Sequence, residues 1–319
     1  MFAAAKALKR FEAPVDRWVD VFAAILRAEA LTLFRPLSGM SGGYLCGEGL
    51  EPGVLINANH PLSRQRMTAA HELGHLIFGH QSTVDVADDD FQLATKSDTP
   101  EEKLAESFAH WFLMPHDLID ASISAMGLEE LCTPLEVYRL SLYLGTSYEA
   151  TARHVVNAQR ASRTRSQEWL KEKPATIKRL MIGDVPLLDA RNDVHLLELK
   201  ESRTSRLARD CDLFVLHLPE RPATGYRWML SPESRDHFEV KLDDYTEPIE
   251  DEDITSVQVT RRFILQAHSV DSSLKTRLAL SNRRRWDPEA CLQKFDLDVQ
   301  LEVAHRVGLA FADESLVAA

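Results

Sequence analysis

The stretch HELGHLIFGH, residues 71–80, constrains this chain more than any other ten residues. It concentrates three of only 12 histidines in 319 residues. On an α-helix, positions i and i+4 differ by about 40° in direction, so His71 and His75 project from one face, one turn apart. Two imidazoles so placed can reach a single metal ion at about 2.0–2.1 Å. Glu72 lies about 100° round the cylinder, off the ligand face yet near enough to touch a water on the metal's open side. HExxH on a helix is the zinc-peptidase pairing of two ligands with a general base. Residues 66–70 before it and Leu76-Ile77-Phe78 after it make a buried helix. Gly74, which costs about 1 kcal/mol relative to Ala there, marks a neighbour packed close. The competing reading is two core histidines satisfied by backbone.

The third ligand decides the class. A HExxHxxGxxH site needs Gly three and His six residues after the second histidine, whereas Gly79 and His80 stand four and five residues on. His80 therefore reads as a helix C-terminal residue favoured by the macrodipole. The following segment, EEKLAESFAHWFLMP, offers carboxylates instead. Thr99-Pro100-Glu101-Glu102 opens a helix with Pro in its first turn and acids at the positive end. Glu102 and Glu106 share a face of it, so one can ligate while the other accepts a hydrogen bond from the outer nitrogen of a ligating imidazole. Glu102 as ligand and Glu106 as that acceptor is favoured over the reverse, with Glu101 third. His110, two turns on, reads first as a structural histidine.

RQRMTAAHELGHLIFGH followed by E-x3-E-x-FAxxxLMP resembles the ImmA/IrrE family of metallo-endopeptidases over about residues 30–160, including the strand GVLINANHP. The resemblance implies one zinc ion per chain, with His71, His75 and Glu102 as ligands and Glu72 as catalytic base. It implies a minigluzincin-like core with a small helix-turn-helix-like part, which residues 134–158 fit. It also implies a protein substrate, typically a helix-turn-helix repressor of the XRE type, cut in a mobile-element or stress response. Glu106 departs from the amide or aspartate more usual at its position. His110, Tyr148 and His154 are candidate oxyanion partners. The strand Val54–Asn57 offers an edge on which an extended substrate could add a strand.

The length favours two domains of roughly 150 residues. Residues 1–160 read as an α+β peptidase domain, 161–191 as a linker and 192–319 as an all-β, Ig-like sandwich. In the first part a helix is expected over about 3–28, strands over LTLFRPL and GVLINAN, and a glycine-rich turn over SGMSGGYLCGEG between them. Ser63 is the expected cap of the motif helix. In the last part, period-2 alternation is cleanest in KFDLDVQLEV, where Phe295, Leu297, Val299, Leu301 and Val303 face one way, which argues for an antiparallel sandwich with one wet face. The net charge of −12 repels phosphate backbones. The local basic cluster, Arg160, Arg163, Arg165, Lys171, Lys173, Lys178 and Arg179, is interrupted by acidic and apolar residues, so no nucleic-acid partner is expected. No apolar run approaches a membrane span of about 18 residues, and the four cysteines form no CxxC pair. They read as reduced thiols of a cytoplasmic protein.

RPATGYRWML, residues 221–230, resembles the NPTTGYxW loop of chagasin-like inhibitors of cysteine peptidases, and RRRWDPEACLQKFDLDVQLEV resembles their RPW loop and last strand. That resemblance covers about 192–304 and implies binding loops at Thr224, Gly225, Tyr226 and Trp286. Arg285 replaces Pro before Trp286, and DEDITSVQV stands where the family has a glycine-rich loop. The module is therefore expected to hold a substrate, a partner or the chain's own peptidase domain. The whole reads as a zinc endopeptidase with a recognition or regulatory module. The runner-up is a non-proteolytic sensor or scaffold using the sandwich loops.

Overall fold

The computed structural model of the chain describes residues 1–14, 16–47, 50–81, 85–86, 99–246, 258–303 and 306–309. Contacts divide the chain into two compact units: Met1–Ala121, Leu144–Ala161 and Ala304–Ala319 in one, Ser122–Tyr143 and Ser162–Val303 in the other. The elements of the first half are α1 (Phe2–Arg10), α2 (Val21–Arg27), β1 (Leu31–Arg35), β2 (Met40–Gly47), β3 (Leu50–Asn57) and α3 (Leu62–Phe78). A short strand β4 (Asp85–Val86) precedes α4 (Pro100–Leu113), α5 (His116–Ala125), α6 (Pro134–Leu144) and α7 (Tyr148–Asn157). Then come α8 (Arg163–Trp169), α9 (Pro174–Ile182), β5 (Val194–Glu198), β6 (Ser205–Arg209), β7 (Leu213–Glu220) and β8 (Tyr226–Leu230). The last are α10 (Pro232–Arg235), β9 (Phe238–Tyr245), β10 (Val259–Ala267), β11 (Leu274–Arg284), β12 (Asp287–Glu302) and β13 (Gly308–Leu309).

In the first unit, helices pack on a five-stranded sheet ordered β13-β1-β3-β2-β4. Four expectations change here. The helix expected over 3–28 is two helices. The first, α1, ends where Glu12 turns left-handed (φ 49°) and the Glu12 and Ala13 amides close on the Lys9 and Leu8 carbonyls. Asp20 starts α2 afresh by accepting from the Ala23 amide at 3.0 Å. The glycine-rich turn is the strand β2. At Gly42 an added Cβ would lie 2.5 Å from both the Leu55 carbonyl oxygen and Thr68 Cγ2, so glycine there lets β2 press against α3 rather than turn the chain. The strand Val54–Asn57 lies inside β3, which is paired to β1 in parallel and to β2 in antiparallel, so it has no edge to offer. The start of α3 also differs, because Pro61 and not Ser63 holds the N-cap position.

The second unit contains two four-stranded sheets, β5-β7-β10-β9 and β6-β12-β11-β8. Phe214, Leu216, Trp228, Phe263, Leu278 and Phe295 are among the residues of its core. On β12, Phe295, Leu297, Val299 and Leu301 are buried and the residues between them are not, the alternation that marks one wet face. The sheets are not wholly antiparallel: β5 runs parallel to β7, and β6 runs parallel to β12. The consecutive strands β5 and β6 lie in different sheets, so no hairpin dictates their direction. Helical residues belong to this unit too. Tyr138 donates to Asp193 and accepts from the Val194 amide, both at 3.0 Å.

Members of the basic cluster are engaged within the fold. Arg160 forms a two-pronged pair with Asp120 at 2.6 and 2.7 Å, Arg165 meets Glu130 at 3.2 Å, and buried Lys178 donates to the Asn192 carbonyl at 2.7 Å. Among the described residues no helix is long and apolar enough to cross a membrane.

Candidate metal centre

The histidine motif lies on α3, whose apolar flanks drive it into the unit and whose left-handed end at Gly79 (φ 69°, ψ 30°) stops it. The neighbour that Gly74 requires is α4. A Cβ at Gly74 would sit 3.1 Å from Ala105 Cα and 3.2 Å from Phe108 Cδ1, so the two helices meet almost backbone to backbone. The start of α4 is set by Thr99, whose hydroxyl accepts from the Glu102 amide at 3.3 Å, the capping arrangement that satisfies an otherwise orphaned donor. Together these features bring the first turn of α4 over the imidazoles of α3.

Of the three glutamates weighed from the sequence, Glu102 is the one placed there. Its carboxylate oxygens lie 3.1 Å from His71 Nε2 and 3.4 Å from His75 Nε2, and the two Nε2 atoms are 3.1 Å apart. A zinc ion bound tetrahedrally at about 2.0–2.1 Å has ligand atoms separated by roughly 3.3 Å. One oxygen of Glu102 faces His71 and the other faces His75, one ligand atom from each residue lies within 4.8 Å of the others, and two imidazoles with one carboxylate are a zinc donor set. Both imidazoles are buried and Glu102 is half-buried. Glu72, on the next position round α3, is 0% exposed. Among the described residues the converging set is His71, His75 and Glu102; Glu106 is not part of it.

The outer nitrogen of His75 meets a residue that the sequence assigned only to the helix end. His80 Nδ1 lies 3.0 Å from His75 Nδ1, in the place foreseen for Glu106. A signal existed in the Gly-His pair directly after the helix, but it became meaningful only once the left-handed turn was seen. His154 is buried and points its Nε2 at the Met114 carbonyl oxygen at 3.0 Å. It stacks on His110 at 5.7 Å and lies edge-on to Trp111 at 4.6 Å. Burial, with the His110 charge adding to it, pushes the His154 pKa from 6.5 down to about 4. Tyr148 is buried in the first turn of α7. Neither His110 nor His154 joins the converging set.

In the second unit the four loop residues named from the sequence come together. Gly225 adopts φ 76°, and an added Cβ there would collide with the Trp286 ring. The Arg284 guanidinium lies over Tyr226 at 4.6 Å and over Trp286 at 6.0 Å, and its Nε donates to the Thr224 carbonyl at 3.3 Å. Trp286 is 73% exposed. Beneath the loop, buried Glu220 accepts from the Trp228 amide at 2.9 Å, Arg227 at 2.9 Å, the Tyr245 hydroxyl at 2.9 Å and Arg261 at 3.1 Å. Of the stretch DEDITSVQV, residues 251–257 lie outside the described residues.

Comparison with known proteins agrees with both resemblances. Residues 27–155 match the model of the IrrE N-terminal-like domain, a peptidase family. Residues 209–299 match that of the chagasin family of peptidase inhibitors, I42. The chain thus joins a metallopeptidase-family segment, which implies a protein substrate, to an inhibitor-family segment suited to a regulatory role. Similar solved structures include the cysteine protease inhibitor EhICP2 from Entamoeba histolytica, with 21% identity over 34% of this chain and 96% of that one (TM-score 0.30). Amebosin in solution shares 18% over 35% of this chain and 98% of its own (TM-score 0.25). PbICP-C, solved in complex with falcipain-2, shares 12% over 38% and 95% (TM-score 0.21). No curated protein matches the chain.

Proposed function

We propose that the chain is a zinc-dependent endopeptidase that cuts a specific intracellular protein, a helix-turn-helix repressor of the XRE type being the first candidate. The observation carrying this reading is the convergence of His71, His75 and Glu102 beside buried Glu72 within the segment that matches a peptidase family. On this reading residues 1–160 carry a minigluzincin-like core, and residues 134–158 are its helix-turn-helix-like part. The chagasin-like sandwich recognises the substrate or regulates the cut. The protein works in the cytoplasm, which suits four cysteines joined by no disulfide.

His71, His75 and Glu102 would hold the ion, and Glu106 would accept a hydrogen bond from the outer nitrogen of a ligating imidazole. Zinc bound there supplies Lewis-acid chemistry, polarising the scissile carbonyl and making water a stronger acid. Glu72 does the proton work: its carboxylate takes a proton from the attacking water and delivers it to the nitrogen of the leaving amine. Its burial keeps that carboxylate away from bulk solvent. Because β3 is internal, an extended substrate would add its strand to the outer side of β2, beyond the Met40–Gly42 stretch paired with β4.

The test is to mix the full chain with candidate repressors, with and without a chelator. One discrete cut, lost with chelator and lost in Glu72→Gln, is expected. A second reading, a scaffold that binds and does not cut, is favoured by the exposed Trp286 loop. Binding without any cut by the zinc-loaded chain would select it.

A further inference from the structure

We propose that His80 is a positioning residue for this centre: its Nδ1 accepts the Nδ1–H of His75 and so holds His75 in the tautomer whose Nε2 lone pair faces inward. The inference rests on the zinc reading above and adds a residue to it.

The local fold builds this contact. At the end of α3 the Gly79 amide bonds to the Leu76 carbonyl at 3.2 Å and the His80 amide to the His75 carbonyl at 3.0 Å, the paired bonds of a Schellman turn. Such a turn needs a left-handed residue, which Gly79 supplies without a Cβ penalty. It folds the chain back so that the residue after the helix lies over the helix's last turn. His80 is then held on two further sides. The Phe78 ring stacks on it at 5.5 Å and 28°, and the Cys46 thiol of β2 points at its carbonyl oxygen from 4.0 Å. The result is a Nδ1–Nδ1 distance of 3.0 Å.

Proton counting sets the direction. A neutral imidazole carries one N–H, and for Nε2 to offer a lone pair the proton must be on Nδ1. His75 is fully buried, so that proton needs a partner within the fold, and His80 Nδ1 stands 3.0 Å from the nitrogen that carries it. If His80 donated instead, the His75 proton would sit on Nε2, 3.1 Å from His71 Nε2 and 3.4 Å from Glu102, in the space an ion needs. With His80 as acceptor, its own proton rests on Nε2. A carboxylate or backbone carbonyl usually serves a ligating imidazole in this way; here a third imidazole does so, placed by one glycine.

Zinc affinity, measured on the full chain by competition with a chelator, tests the idea. His80→Ala and His80→Phe should each weaken binding by about 10–100-fold. His80→Phe keeps a ring against Phe78 and loses only the acceptor, so it separates hydrogen bonding from packing. His80→Asp restores an acceptor and should return affinity to within about threefold of the parent chain. Imidazole nitrogen NMR spectra of the metal-free chain should show His75 protonated at Nδ1, and that preference should vanish in His80→Ala. Parent-like affinity in His80→Phe, or no recovery in His80→Asp, overturns the proposal. Failure of the zinc reading itself would look different: the parent, His71→Ala and Glu102→Ala would bind zinc equally poorly, while the nitrogen spectra would still decide the hydrogen bond.

Discussion

In the sandwich unit the buried carboxylate of Glu201 meets Arg139 at 2.6 Å, the Tyr143 hydroxyl at 2.7 Å and Arg206 at 2.9 Å; in the other unit the Glu102 carboxylate meets two imidazoles at 3.1 and 3.4 Å. Guanidinium groups are always charged and donate only, so Glu201 is neutralised by fixed protein partners and the Arg206 group is further stacked on the Tyr143 ring at 3.4 Å. Every partner of that carboxylate is a donor fixed by the fold. Imidazoles near neutral pH can present lone pairs, so the Glu102 group aims three donors at one point. Burial and charge alone do not separate a structural carboxylate from a metal-binding one. The protonation chemistry of what faces it does.

Four substitutions or titrations probe that contrast, beginning with the largest effect. Glu72→Gln should lower the cleavage rate by about 10²–10⁴-fold while bound zinc, measured by metal analysis, stays at the parent level. Parent-level turnover would remove Glu72 as the base. Glu201→Gln should cost about 3–5 kcal/mol of stability by leaving two buried guanidinium groups undercompensated, read by denaturant unfolding. A cost near zero would break the claim that this network is structural.

Acidification gives the third. His154 has its pKa pushed down to about 4 in the fold, against 6.5 when exposed. Between those values the unfolded chain binds the proton and the folded one does not, so stability falls as pH drops from 6.5 to about 4 and levels off below. The loss should reach about 3 kcal/mol, and the part due to this residue should be missing from the pH-stability curve of His154→Gln. The smallest effect is expected at the loop. Gly225→Ala must place a Cβ at positive φ against the Trp286 ring, costing about 1–2 kcal/mol, read as a lowered unfolding midpoint of the sandwich unit.

Much of the candidate site was legible because helical geometry is local. The spacing of His71, Glu72 and His75 needs only 3.6 residues per turn, and the Thr99-Pro100 start of α4 needs only capping chemistry. The alternation along β12 was equally readable from residues two apart. The strand β2 was not, since its glycines look like a turn until Thr68 and Leu55 are seen against Gly42. Nor was the break between α1 and α2, where the apolar pattern outlasted the helix that a left-handed turn at Glu12 ends. Nor does the spacing along α3 reveal that a backbone reversal at Gly79 delivers His80 to the outer nitrogen of His75.

By itself the amino-acid order determined which groups share a helix face, where the β-sandwich begins to alternate and which loops carry Tyr226 and Trp286, because each depends on backbone periods a few residues long. The tertiary structure alone decided that β3 has no edge and that His80 lies against His75, and it set Glu102, which the sequence favoured, beside the two imidazoles. Those outcomes depend on how closely α3 and α4 can approach at Gly74 and Ala105, and on strand partners distant in the chain, and no local period encodes such distances.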